Sequence, residues 1–198
     1  MKKLLWAGWC AFSLLNSTWA ALPPGATAPD FTAQASKSGS TFEFSLQNTL
    51  KQGGPVVVYF YPSAYTGGCN IQAHTFAVEQ DKFVAAGATI IGVSLDSIDR
   101  LKEFSADPNY CAGKFGVASD SDGSIAKAYE LTIKEPAEGK QDSRGQAITH
   151  GFAERVTFVI TQDQKIAATI TGLKPAENVA KALEIVQQLA TQKAQTPP

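Results

Sequence analysis

The chain has 198 residues, with 17 basic and 18 acidic side chains and a formal net charge of −1. That near balance, with no stripe of lysine and arginine, excludes a nucleic-acid or anionic-membrane partner held by charge. The length fits one domain with a full hydrophobic core rather than two.

The first twenty residues read as a targeting segment. Lys2 and Lys3 form a positive start, the stretch from Leu4 to Leu15 is mostly apolar, and Ser17-Thr18-Trp19-Ala20 offers small side chains where a signal peptidase needs them. The apolar run falls short of the roughly 20 residues of a spanning helix, which argues against a retained anchor. Trp9 is too large to precede a lipidated Cys10. Cleavage after Ala20 is expected, giving a periplasmic or secreted protein. Loss of Lys2 and Lys3 leaves fifteen basic residues against eighteen acids, a charge of −3.

Residues 21–193 are expected to form one domain, alternating strand-like and helix-like segments. Pro55 to Tyr61 (PVVVYFY) is a continuous β-branched and aromatic run, the pattern of a strand buried on both faces. Ala73, Phe76, Ala77, Phe83 and Val84 then recur at helical spacing, and Gly87 is placed to end that helix. Ala88 to Leu95 is a second buried strand, and Asp96 is a candidate N-cap for a helix through Leu101 and Phe104. Phe115 to Ser119 reads as a short strand and Gly123 to about Leu131 as a helix. Lys134 to Ala153, rich in glycine and charge, reads as a loop, most simply a tolerated surface insertion, with a lid or a partner-docking surface as the alternative. Val156 to Thr161 and Lys165 to Thr171 form a hairpin. Val179, Leu183, Val186 and Ala190 stripe a last helix, and 194–198 reads as a disordered tail. This order is that of an α/β thioredoxin-like three-layer sandwich around a central mixed sheet.

Processing leaves Cys69 and Cys111, which in an oxidising compartment serve either as one structural disulfide or as redox groups. Cys69 follows the first buried strand by the loop Pro62 to Gly68 and falls in the first turn of the next helix. Unpaired N–H groups and the helix dipole favour a negative charge there, and the thiolate is the reactive form of a cysteine. Gly67 and Gly68 present no side chains to block a small substrate. Thr66 places a hydroxyl three residues before the sulfur, able both to donate and to accept.

Pro62-x-x-x-Thr66-x-x-Cys69 after an aromatic strand resembles the peroxidatic signature of the peroxiredoxins, in the AhpC/TSA superfamily. Ala28-Pro29-Asp30-Phe31, Gly92 to Ser97 (GVSLDS), Ser119-Asp120-x-Asp122-Gly123 with Ala126-x-Ala128-Tyr129, and Arg155 to Ile160 (RVTFVI) resemble further family segments. The chain is most similar to the peroxiredoxin Q, or bacterioferritin-comigratory, type. The resemblance implies that Pro62 shields the site, Thr66 orients peroxide, Cys69 attacks it, and Arg155 supports the thiolate and the leaving oxygen. It implies a peroxide substrate, a thioredoxin-like reductant, no cofactor, and a monomer or weak dimer. One branch of the type resolves the oxidised sulfur with a cysteine five residues on, a position held here by His74. Cys111 resembles the resolving cysteine of the other branch. The pattern departs from the family where Gln72 replaces the usual glutamate.

Two other readings use the same fold, and only the first stays open. An exported copper carrier on the same fold would use Cys69, His74 and His150 as ligands. A disulfide oxidoreductase would need Cys-x-x-Cys, which the chain lacks. Because Trp6, Trp9 and Trp19 all precede the expected cleavage point, the exported protein should show tyrosine but no tryptophan fluorescence. A clear tryptophan emission from the purified exported form would refute cleavage after Ala20.

Overall fold

The computed structural model describes residues 21–195; the expected leader and the last three residues of the chain lie outside them. The first elements are a hairpin of β1 (Thr32–Lys37) and β2 (Ser40–Ser45). Its two-residue turn places both Ser38 and Gly39 at positive φ, 53° and 78°, the geometry that matches the twist of paired strands. This hairpin was absent from the expected elements because only the inward positions of β1, such as Ala35, are apolar and small. Ser45 caps the short helix α1 (Leu46–Lys51) by accepting from the Asn48 N–H.

The expected elements follow. Strand β3 (Val56–Phe60) is buried at every residue and leads to helix α2 (Gly67–Ala85), which ends ahead of Gly87 at φ 74°. Strand β4 (Thr89–Ser94), helix α3 (Ile98–Ala106), strand β5 (Gly116–Ser119) and helix α4 (Ser124–Ala128) come next. Two-residue strands β6 (Ile133–Lys134) and β7 (Phe152–Ala153) then pair at the base of the long loop. Strands β8 (Val156–Ile160) and β9 (Ile166–Ile170) and helix α5 (Pro175–Gln195) complete the domain.

Seven strands form one sheet in the order β2-β1-β5-β4-β3-β8-β9. The β3, β4 and β5 pairs are parallel, and β8, β9 and β1 run antiparallel to their neighbours, so the sheet is mixed as expected. Alternation along β3 divides the core into two layers. Val56, Val58 and Phe60 face α1 and α4, meeting Leu46, Leu50, Ile125 and Ala126. Val57, Tyr59 and Tyr61 face α2, α3 and α5, meeting Phe76, Leu101, Phe104 and Val179. The thioredoxin-like three-layer sandwich is therefore present.

Three local expectations change. Ser97, not Asp96, caps α3, its hydroxyl accepting from the Arg100 N–H. Asp96 is fully buried and its carboxylate is turned to other donors. Helix α5 continues to Gln195, so the expected tail beginning at 194 is helical for its first two residues. The loop after Lys134 is tied to the domain rather than hanging from it: its Ser143 N–H donates to Tyr65 O at 2.8 Å.

Gly92 lies opposite Tyr59 in the parallel β3/β4 ladder, and a Cβ there would stand 2.6 Å from Tyr59 Cζ. The Tyr59 ring is itself wedged between Tyr61 and Phe76, with centroids 5.3 and 4.6 Å away, and has nowhere to retreat. Gly92→Ala is expected to destabilise the fold by about 1–3 kcal/mol through overpacking. Urea denaturation should show a lower midpoint at an unchanged slope.

Candidate active site

Phe60 pairs with Val156 in the antiparallel β3/β8 ladder. Arg155, one residue earlier, therefore stands beside the point where β3 gives way to the loop that opens α2. Its Nη2 donates to Cys69 Sγ at 3.2 Å across 86 residues of sequence. Cys69 is the third residue of α2 and only 2% exposed. The sulfur thus lies where helix-start N–H groups and a guanidinium both favour a negative charge.

Thr66 is the N-cap residue of α2, with extended backbone at φ −113° and ψ 147°, but its hydroxyl does not cap the helix. It donates to Ser63 O at 2.8 Å, which leaves its lone pairs free to accept. Pro62 is half-buried at the head of the loop. Gly67 has open space where a side chain would stand, as expected. Gly68 does not: a Cβ there would meet Arg155 Nη2 at 3.1 Å and Pro175 Cγ at 3.4 Å. The missing side chain of Gly68 makes room for the guanidinium and the start of α5, not for substrate.

Arg155 is held by neutral groups. Its Nη1 donates to Gln72 Oε1, Gln72 Nε2 donates to Asn178 Oδ1 at 3.1 Å, and Thr157 Oγ1 donates to the same oxygen at 2.6 Å. Asn178 Nδ2 closes the chain on Ile170 O at 3.2 Å. Gln72, Thr157 and Asn178 are buried, so each polar atom needs its partner. Gln72, which stands where the family pattern has a glutamate, meets Arg155 as a neutral acceptor. Thr157 and Asn178 went unnoticed in the sequence, although each is a polar residue inside an apolar pattern.

Cys111 lies in the turn between α3 and β5, fully buried, and both cysteines are free thiols. The single structural disulfide that composition allows is thus not formed. Burial pushes the Cys111 thiol well above its ordinary pKa, and nearby Asp107 adds to this, so it stays protonated. Both cysteines share the core layer of Tyr59, Tyr61, Phe76 and Phe104. The Cys111 turn is joined to α2 where His74 Nδ1 meets Asn109 O at 3.1 Å.

The two histidines named as copper ligands do not gather around Cys69. His74 makes the contact just described, and His150 faces Asp96, Ser63 and Gly151 O. Among the described residues no three His, Cys, Asp or Glu side chains cluster as a metal site.

A second polar group surrounds the loop before Cys69. Asp96 accepts from the Ala64 N–H at 2.8 Å, from Ser94 Oγ at 2.7 Å and from Ser63 Oγ at 2.9 Å, and pairs with Arg100 Nε and His150 Nε2, each at 2.9 Å. Burial by itself would raise the Asp96 carboxyl, but the His150 ring and the Ala64 and Ser94 donors hold it below the ordinary carboxylate value. Burial likewise works to lower His150, yet the Asp96 carboxylate outweighs it and the imidazolium is favoured.

The chain is similar to known proteins in sequence and in fold. A putative peroxiredoxin of Mycobacterium tuberculosis is 31% identical over 160 residues, covering 81% of this chain and 92% of that protein. Peroxiredoxin Bcp of Xanthomonas campestris is 30% identical over 167 residues, covering 83% and 94%. Among solved structures, peroxidoxin BcpB of Mycobacterium tuberculosis superposes with a TM-score of 0.69 at 25% identity, covering 85% of this chain and 98% of that one. Peroxiredoxin Q of Xanthomonas campestris gives 0.62 at 26%, covering 87% and 99%. Residues 24–169, which include Cys69, Cys111 and Arg155, match the model of the AhpC/TSA family, and the chain therefore belongs to that family.

Proposed function

We propose that the protein is an exported thiol peroxidase in which the Cys69 thiolate attacks the terminal oxygen of hydrogen peroxide or an organic hydroperoxide. The observation that carries this reading is the Arg155 guanidinium at 3.2 Å from a sulfur seated in the first turn of α2. The guanidinium stabilises the anion before attack and the oxygen that departs after it. Thr66, its proton committed to Ser63 O, accepts the peroxide O–H and aligns the oxygen–oxygen bond with the sulfur. As the sulfur–oxygen bond forms and the oxygen–oxygen bond breaks, the peroxide proton passes to the leaving oxygen. Water or an alcohol departs, and sulfur keeps the other oxygen as sulfenate. Pro62 limits the access of bulk water.

The sulfenic acid then condenses with the Cys111 thiol, releasing water and forming a disulfide. Cross-linking requires the two Cα atoms to lie within about 7 Å, and in this reading the start of α2 or the Cys111 turn opens to bring the two buried sulfurs together and to expose them to the reductant. A protonated Cys111 suits this order, since it stays unreactive until opening releases it from burial. A thioredoxin-like dithiol in the same exported compartment restores both thiols. The leader supports that location, and the peroxiredoxin names of the relatives support the chemistry.

Cys69→Ser should abolish peroxide consumption with a dithiol reductant, and retained activity would sink the assignment. Arg155→Met should lower the rate constant for peroxide attack by about 10²–10³, as for loss of one preorganised donor at a reacting centre. Stopped-flow under pseudo-first-order peroxide reads that constant directly. Cys111→Ser should halt at sulfenic or sulfinic acid by intact-protein mass spectrometry; unchanged steady-state turnover would remove Cys111 from the cycle.

A further inference from the structure

The loop between β6 and β7 reaches back over the residues that precede Cys69. Ala64 is gripped at both ends of its peptide unit: its N–H donates to Asp96 Oδ2 at 2.8 Å, and its carbonyl accepts from Arg100 Nη2 at 2.9 Å. The same Nη2 pairs with Asp142 of the loop at 2.7 Å. Asp142 in turn accepts from the N–H groups of Arg144 and Gln146, at 2.8 and 2.9 Å, which shapes the loop tip. Ser143 N–H donates to Tyr65 O, and the Arg144 guanidinium carbon lies 3.3 Å from the centre of the Tyr65 ring. Tyr65 itself has φ 59°, a left-handed conformation that a bulky side chain adopts only when its surroundings impose it. Four of these contacts fall on Ala64 and Tyr65, immediately before the helix that carries Cys69, and the others hold Arg100 and the loop tip in place to make them.

We propose that residues 142–150, with Arg100 and Asp96, form a latch that holds Ser63, Ala64 and Tyr65, and that release of this latch controls the opening of the Cys69 segment. The proposal deepens the peroxidase reading and rests on it for one consequence. The latch sets how fast oxidised Cys69 reaches Cys111, and hence how much is lost to sulfinic acid when peroxide is in excess. Asp96, Arg100, Asp142 and Arg144 are positioning residues, acting on the sulfur only through the loop.

Charge balance makes the latch sensitive to pH. Asp96, Glu103 and Asp142 supply three negative charges, and Arg100 and Arg144 supply two positive ones, Arg144 meeting Glu103 at 2.8 Å. His150 supplies the third. Its Nε2 faces Asp96 Oδ1 and its Nδ1 faces Gly151 O at 2.8 Å; both partners accept, so the imidazolium satisfies both. Ser63 Oγ at 3.3 Å and the Phe152 ring complete its surroundings. The folded structure raises the histidine above its ordinary value, so this contribution is fully present below about pH 6.5 and fades as pH rises through the raised value.

Amide hydrogen exchange over residues 63–70 of the reduced full-length protein tests the latch without reference to Cys111. Arg144→Ala and Asp142→Asn should each speed exchange there by about tenfold, the loss expected for a charge-assisted contact. Exchange in β3 and β4 should stay unchanged, which shows that the fold is intact. Under excess peroxide the same variants should raise the ratio of disulfide to sulfinic acid by mass spectrometry. The ratio of wild-type to His150→Gln exchange, taken at matched pH, should approach one as pH rises above 6.5. Unchanged exchange at 63–70 in both loop variants would overturn the latch. Faster exchange with no Cys69–Cys111 disulfide in any form would uphold the latch and overturn the resolving role of Cys111.

Discussion

The contact between Arg155 and the Cys69 sulfur is the constraint on which the site depends. A guanidinium is charged at every accessible pH, and a half-buried one must face groups that accept its protons. The antiparallel register of β3 and β8 delivers Arg155 to the C-terminal end of β3, where the chain leaves the sheet and turns into α2. The absence of a side chain at Gly68 lets the helix start close against it. Strand register, the loop Tyr61 to Thr66 and one glycine together bring a fixed positive charge to a helix N-terminus.

Beside the sulfur, the Arg155 guanidinium donates to the Gln72 amide oxygen rather than to a carboxylate. Gln72, Asn178 and Thr157 form a buried chain from α2 through α5 to β8. Neutral partners orient the guanidinium without cancelling its charge, so its field is left to act on the sulfur. The glutamate expected at position 72 from the family pattern would compete with the Cys69 sulfur for the guanidinium. The substitution reads as a redistribution of the same interaction, and the relay fits it: Asn178 takes two hydrogen bonds at Oδ1 and gives one to the backbone, so no buried polar atom is orphaned along the chain.

The long loop after β6 changes meaning once its contacts are known. Glycine and charge in Lys134 to Ala153 read as a solvated insertion because composition carries no information about partners far away in sequence. In the structure Asp142 is buried, and Arg100, Arg144 and His150 tie the loop to the residues before Cys69. Asp96 illustrates the same point. Its place at the end of β4 makes a helix cap the local expectation, yet four donors and the Arg100 guanidinium converge on its carboxylate and Ser97 takes the cap instead.

By itself the sequence determined the buried strands β3, β4 and β8, the helices between them and the placing of Cys69 at a helix start. These follow from side-chain periodicity and from local backbone chemistry, both of which act over a few residues. It also held Thr66, three residues before Cys69, and Arg155, which only resemblance to a family joined to Cys69, since no local rule relates positions 86 residues apart. The tertiary structure alone decided that Gly68 yields its space to Arg155, that Gln72 is backed by Asn178 and Thr157, and that the 135–151 loop grips residues 63–65. Each is a contact between segments distant in sequence. Its existence depends on strand order and register, and on the cost of leaving a buried polar group without a partner.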